Sequence, residues 1–138
     1  MNDVTTQSVV ETVSERTRIS SGSPFESRIG FSRAIAVGGR VVVSGTAPVW
    51  PDGSCESDAE AQTRRCLEII DSALHDAGVT LAHVVRTRMY IVDAADSYAV
   101  GRAHGDVFGE TRAAATMVVV KALLDPRWKV EIEAEAEA

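Results

Sequence analysis

The chain ends in an unbroken alternation. Val130, Ile132, Ala134 and Ala136 fall on one side of a two-residue repeat, and Glu131, Glu133, Glu135 and Glu137 fall on the other. Only a β-strand separates these sets, because its successive side chains point to opposite faces, whereas a helix would spread the glutamates around its whole circumference. The strand therefore belongs to a sheet with one face on an apolar core. Its other face carries a row of carboxylates that needs water, cations or a partner.

The rest of the chain supplies what such a sheet requires. Phe31–Val37 and Arg40–Ser44 are β-rich runs joined by Gly38-Gly39, which predicts a two-residue hairpin. Ser57 and Glu60 have the spacing of a capping box, which predicts a helix running to about Ala77 with Gly78 as its stop. Ala59, Cys66, Leu67, Ile70, Ala73, Leu74 and Ala77 form its apolar stripe. Val84–Val92 reads as a strand with Val85, Thr87, Met89 and Ile91 facing one way and Arg86, Arg88 and Tyr90 the other. A second helix is expected from about Asp93 or Ala94 to Val107, with Tyr98, Gly101, Gly105 and Phe108 on one side and the glycines allowing close approach to the sheet. Strands at Thr116–Ala122 and Trp128–Ala136 close the order β-β-α-β-α-β-β. Two helices cover only one face of such a mixed sheet, so the open face predicts an oligomer. Residues 1–22, rich in Ser, Thr and Glu, read as a mobile arm, or one ordered only by a partner subunit, before a single domain at 23–138.

Charge and composition exclude several classes. A net charge of −6 repels phosphate backbones, so nucleic acid is not an expected partner. No apolar run approaches the ~18 residues of a membrane span, and no signal peptide opens the chain, so a cytoplasmic protein is expected. Cys55 and Cys66 are too few and too far apart for a disulfide framework or a paired-cysteine metal site. His75, His83 and His104 share no ligand spacing. Neither a metal nor a cofactor is expected.

Several separated segments together resemble the Rid (YjgF-like) family. They are Val41-Val-Val-Ser-Gly-Thr46, Ala61-Gln62 with Cys66-Leu-Glu-Ile-Ile70, Ala77-Gly78 followed by Val84–Ile91, and Lys129-Val-Glu-Ile-Glu-Ala134. The resemblance runs from about Pro24 to the C-terminus in order and spacing. It implies an α+β chorismate-mutase-like fold, with a mixed sheet and two helices on one face, assembled as a homotrimer with three clefts between subunits. In the family's deaminases an arginine near the start of the penultimate strand grips the substrate carboxylate, a task suited to its two-pronged donor geometry. A glutamate on the last strand handles water, and 2-imino acids are hydrolysed to 2-keto acids and ammonia.

Carried across by resemblance, the glutamate falls on Glu131 and the cleft glycine on Gly45. The arginine position falls on Ala115, followed by Thr116 and by Met117 where cysteine is common, and Phe31 stands where many members have tyrosine. Two polar groups are thus absent, and a standard 2-imino acid deaminase is not expected. Arg112, Arg33 and Arg88 are the cations able to meet an acidic ligand in place of Ala115. Each has an ordinary alternative, solvation or an ion pair for Arg112 and inter-subunit ion pairs for Arg33 and Arg88. Ser32 and Thr116 offer hydroxyls to a ligand or to local backbone, and Phe31 and Met117 offer an apolar wall or core packing. Glu131 is either a cleft acid–base or one of four solvated glutamates. The expected function is hydrolysis or tautomerisation of a small imine, enamine or related metabolite, the alternative a non-catalytic trimer binding a metabolite or partner. The ribonuclease activity attached to some family names fits poorly with a pI near 5.0.

Overall fold

A computed structural model describes residues 15–138. Six strands, β1 (Arg16–Ile19), β2 (Ala34–Val37), β3 (Arg40–Thr46), β4 (Val84–Ile91), β5 (Ala114–Val119) and β6 (Val130–Glu137), form one sheet in the order β1-β2-β3-β6-β4-β5. Every neighbouring pair is antiparallel except β4 and β5, which run parallel around the crossover helix α2 (Ser97–Phe108). Helix α1 (Ala59–Asp76) packs over β3 and β6 and against α2, so both helices lie on one face. The last strand behaves as its alternation requires. Val130, Ile132, Ala134 and Ala136 are buried toward the helices, and Glu131, Glu133 and Glu135 are half-buried on the open face.

The hairpin forms at Gly38-Gly39, whose φ angles of 57° and 80° are those of a tight turn that side-chain-bearing residues resist. Val37 pairs with Arg40 across it. Gly78, at φ 88°, ends α1.

Four details differ from the sequence expectation. The cap of α1 is Asp58, not Ser57: its carboxylate accepts from the Ala61 amide at 3.0 Å, while Glu60 pairs with Arg64 and Arg102 instead of reaching back. In β4 the alternation slips at a bulge between Val84 and Arg86, so Val84 is buried and Val85 exposed. In α2 the packed residues are Val100, Ala103 and Phe108, whereas Tyr98 is exposed and a Cβ on Gly105 would meet nothing within 4 Å. Gly105 therefore marks no close approach to the sheet, while a Cβ on Gly101 would only touch the Met117 side chain of β5 at 4.0 Å. Finally, Arg16–Ile19, placed in the expected arm, is an edge strand paired with β2, and Ile19 is buried. Of that expected arm, residues 1–14 lie outside the described residues.

Gln62 holds the inside of the fold together. Fully buried at the start of α1, its amide donates to the carbonyls of Glu56 and Arg127 at 2.7 and 2.9 Å, and its oxygen accepts from the Lys129 amide at 2.7 Å. The entry to β6, and with it Glu131, is thereby tied to α1. Such a group is tolerated in a core because it is fully satisfied.

Candidate functional site

The site begins with a bulge in β3. Val43 pairs with Ala134 and Thr46 with Ile132, so Ser44 and Gly45 together face the single residue Glu133. A bulge frees carbonyls from the ladder, and here Arg33 takes them up, one guanidinium nitrogen donating at 2.7 Å to the carbonyls of both Ser44 and Gly45. The Ser44 hydroxyl donates to the Ser32 carbonyl at 2.6 Å, fixing the same loop from the other side. Arg33 sits at the rim of the sheet, where it also borders a hollow of about 210 Å³ with Arg65, Glu68, Ile69 and Ser72 of α1.

Glu131 lies against this bulge on the open face. Its carboxylate occupies the space over Gly45 that a side chain would fill, and a Cβ at position 45 would collide with it. Glycine is needed there for room, not for backbone freedom. Burial pushes the Glu131 carboxyl above the usual carboxylate range, Arg33 opposing this and Glu133 adding to it.

On the β4 side, Tyr90 is the cross-strand partner of Glu131 and Arg88 that of Glu133. The Tyr90 hydroxyl donates to Glu133 at 2.7 Å, and Arg88 donates to the other oxygen of that carboxylate at 2.9 Å. Arg40 and Arg88 approach Glu135 at 2.5 and 3.6 Å. Glu133 and Glu135, expected to be plainly solvated, are thus members of an Arg–Glu ladder. Neither Tyr90 nor Glu133 stood out in the sequence. The available signal was register, since β4 and β6 had to be paired before Tyr90 could be set beside two glutamates.

The other candidates lie apart from Glu131. Ala115, Thr116 and Met117 are on β5, which is separated from β6 by β4. Ala115 pairs with Thr87 and Met117 with Met89, both buried on the helix side, and Met117 packs toward α2. Thr116 is the register partner of Arg88 and is exposed. Arg112 is exposed at a φ of 52°, its side chain donating to the Gly109 carbonyl at 3.3 Å. Phe31 is partly exposed beside the turn Glu26–Gly30. Cys66 is buried and donates to the Thr46 carbonyl, and burial raises its thiol far enough to keep it protonated. His104 is a packing residue, 4.7 Å from the Phe108 ring and 2.8 Å from the Thr87 hydroxyl. No helix among the described residues is long and apolar enough to cross a membrane.

The profile of a family described as Endoribonuclease L-PSP matches residues 22–138. An uncharacterised protein of Streptomyces coelicolor is 38% identical over 120 residues, covering 86% of this chain and 90% of its own length. The 2-iminobutanoate/2-iminopropanoate deaminase of Salmonella typhimurium is 31% identical over 109 residues, 77% of this chain and 85% of its own. A solved structure of a YjgF-family member from Mycobacterium tuberculosis superposes with a TM-score of 0.83 at 47% identity, over 90% of this chain and all of that one.

Proposed function

The chain belongs to the Rid (YjgF/RutC) family, and on that premise we propose that it hydrolyses or tautomerises a small imine, enamine or related nitrogenous metabolite in clefts between the subunits of a homotrimer, without being a standard 2-imino acid deaminase. The observation that carries this reading is Glu131, a half-buried carboxyl set over Gly45 and raised by burial. A carboxyl that gains and loses a proton nearer neutrality serves as both acid and base in one cycle. In hydrolysis Glu131 takes a proton from water as the oxygen adds to the imine carbon, and the C=N π pair moves to nitrogen, which is protonated. Glu131 then relays the carbinolamine's hydroxyl proton to the nitrogen, the C–N bond breaks to release ammonia, and the carbonyl forms. Imine and water become carbonyl compound and ammonia, and the carboxyl ends as it began.

Distance within one chain favours a cleft shared between copies. Ala115 and Thr116 stand on the exposed edge strand β5, two strands and so roughly 10 Å from β6, and Ala115 is turned to the opposite face from Glu131. A pocket using both needs a second subunit. With Ala115 in place of the clamp and Phe31 in place of a hydroxyl, the substrate is less acidic or bulkier than a simple 2-imino acid. The relationship to the Salmonella deaminase supports the C=N chemistry, and the charge of −6 works against a ribonuclease.

A specific observation favours the second reading, a binding trimer without turnover. The cations nearest Glu131 are already engaged, Arg33 by two carbonyls and Arg88 by Glu133. Ammonia release from freshly generated 2-imino acids separates the two. Wild type is expected to be slow, Ala115→Arg to gain activity, and Glu131→Gln to abolish that gain. Rapid wild-type turnover would show that another group holds the carboxylate. Ligand binding without product, indifferent to Glu131→Gln, would establish the binding trimer.

A further inference from the structure

Glu131 has a specific neighbour on each side. Gly45 of β3 forms the floor beneath it. Across β4 its register partner is Tyr90, placing the two Cβ atoms about 5 Å apart. The Tyr90 hydroxyl does not reach Glu131. It bonds at 2.7 Å to Glu133, two residues along the same strand and on the same face, while Arg88 holds the other oxygen of that carboxylate at 2.9 Å. Both oxygens of Glu133 are fixed, and the Tyr90 ring is thereby pinned alongside the Glu131 side chain. Glu133 also holds the phenol proton more tightly than usual, so Tyr90 acts as a donor and not as a base.

We propose that Tyr90 and Glu133 are positioning residues for Glu131: the tyrosine ring closes the β4 side of the slot in which that carboxyl works, and Glu133, clamped by Tyr90 and Arg88, is the fixed negative charge beside it. Neither touches the reacting atoms. The inference rests on the reading of Glu131 as the acid–base group, but its consequence is visible in Glu131 itself.

The groups facing Glu131 have opposing effects. Arg33, at the entry to β2, favours the ionised form, and Glu133, on β6, favours the protonated form. Cys66, on α1, stays neutral because burial raises its thiol. From β3, Gly45 lies beneath the carboxylate and brings no charge. Removing the Tyr90 ring admits water to the slot, and neutralising Glu133 removes a like charge. Both changes make the ionised form of Glu131 easier.

The test is a carboxyl titration by NMR of the full chain labelled with carbon-13 at the glutamate side-chain carboxyl. The Glu131 signal is identified by its disappearance in Glu131→Gln. Tyr90→Ala and Glu133→Gln are each expected to shift the Glu131 midpoint down. Tyr90→Phe, which keeps the ring, should retain most of the wild-type value, and Glu137→Gln, at the far end of the same face, should leave it unchanged. Once a substrate is found, the kcat/KM profile against pH should move with the NMR midpoint. An unmoved midpoint in Glu133→Gln, or an equal shift in Glu137→Gln, overturns the proposal even if Tyr90→Ala fails to fold. If instead Glu131→Gln leaves turnover intact while the midpoints shift as expected, the positioning stands and the catalytic reading of Glu131 fails.

Discussion

The two faces of the sheet are made by the same strands and obey different physics. On the covered face, Val130, Ile132, Ala134 and Ala136 of β6 meet Val41 and Val43 of β3, Met89 and Ile91 of β4, and Ile70 and Leu74 of α1, all buried. Stability there comes from area removed from water and depends little on which apolar side chain provides it. On the open face, the alternate residues of β4 and β6 are charged or phenolic and are joined in a shared network: Glu133 takes Arg88 and Tyr90, and Glu135 takes Arg88 and, from β3, Arg40. Exposed ion pairs of this kind contribute little to stability. The contrast divides the work: the covered face holds the fold, and the open face holds a network of polar side chains in register.

The sharpest way to break that comparison is to cut one residue from the covered face. Ile132 is fully buried, between Glu131 and Glu133 in sequence. Ile132→Ala is expected to destabilise the chain by about 3–4 kcal/mol, the lost burial plus an unfilled cavity, read as a fall in the denaturant midpoint at fixed protein concentration. A cost under about 1 kcal/mol would mean that this face is not the folding core.

An intermediate effect tests the open face. A double-mutant cycle of Arg88→Ala and Glu133→Gln should give a coupling of about 0.5–1 kcal/mol, since both side chains are about one-third exposed. Coupling several times larger would mean that the ladder is sealed from water in the assembled protein and holds subunits together. The assignment of work to the two faces would then need revision.

Where the sequence was legible follows the same division. The covered face was readable because burial imposes a period: the β6 alternation, the α1 stripe and the Gly38-Gly39 turn each leave a mark in a few adjacent residues. The misreadings were local interruptions of a period. The bulge before Arg86 exchanged Val85 for Val84, and an adjacent capping residue, Asp58, displaced Ser57. The edge strand Arg16–Ile19 was missed because only Ile19 of its four residues is buried, so its alternation is nearly silent. The site was less legible. Glu131 and Gly45 were singled out through family resemblance, but their contact depends on a bulge in β3 that no residue pattern announces. The engagement of Arg33 was equally silent, because its acceptors are the Ser44 and Gly45 carbonyls at that same bulge. Register between distant strands, and not composition, decides which open-face residues meet.

The smallest expected effect has a sign that depends on Glu131 being held out of water. Burial raises the Glu131 carboxyl above its value in the unfolded chain. Between those two values the folded chain keeps a proton that the unfolded chain has lost, so the contribution of this group to stability improves as pH falls through the raised value. Above it, ionised Glu131 opposes folding, because water solvates the carboxylate better in the unfolded chain than the slot does. Glu131→Gln removes that opposition. The variant is therefore expected to melt slightly above wild type at pH 7.5, and the advantage should vanish near pH 4, where the wild-type carboxyl is protonated in the folded chain. The measurement is a pair of thermal melts at each pH. A variant less stable than wild type at pH 7.5 would mean that attraction to Arg33 outweighs burial, leaving the carboxyl firmly ionised and poorly suited to hand a proton to a departing nitrogen.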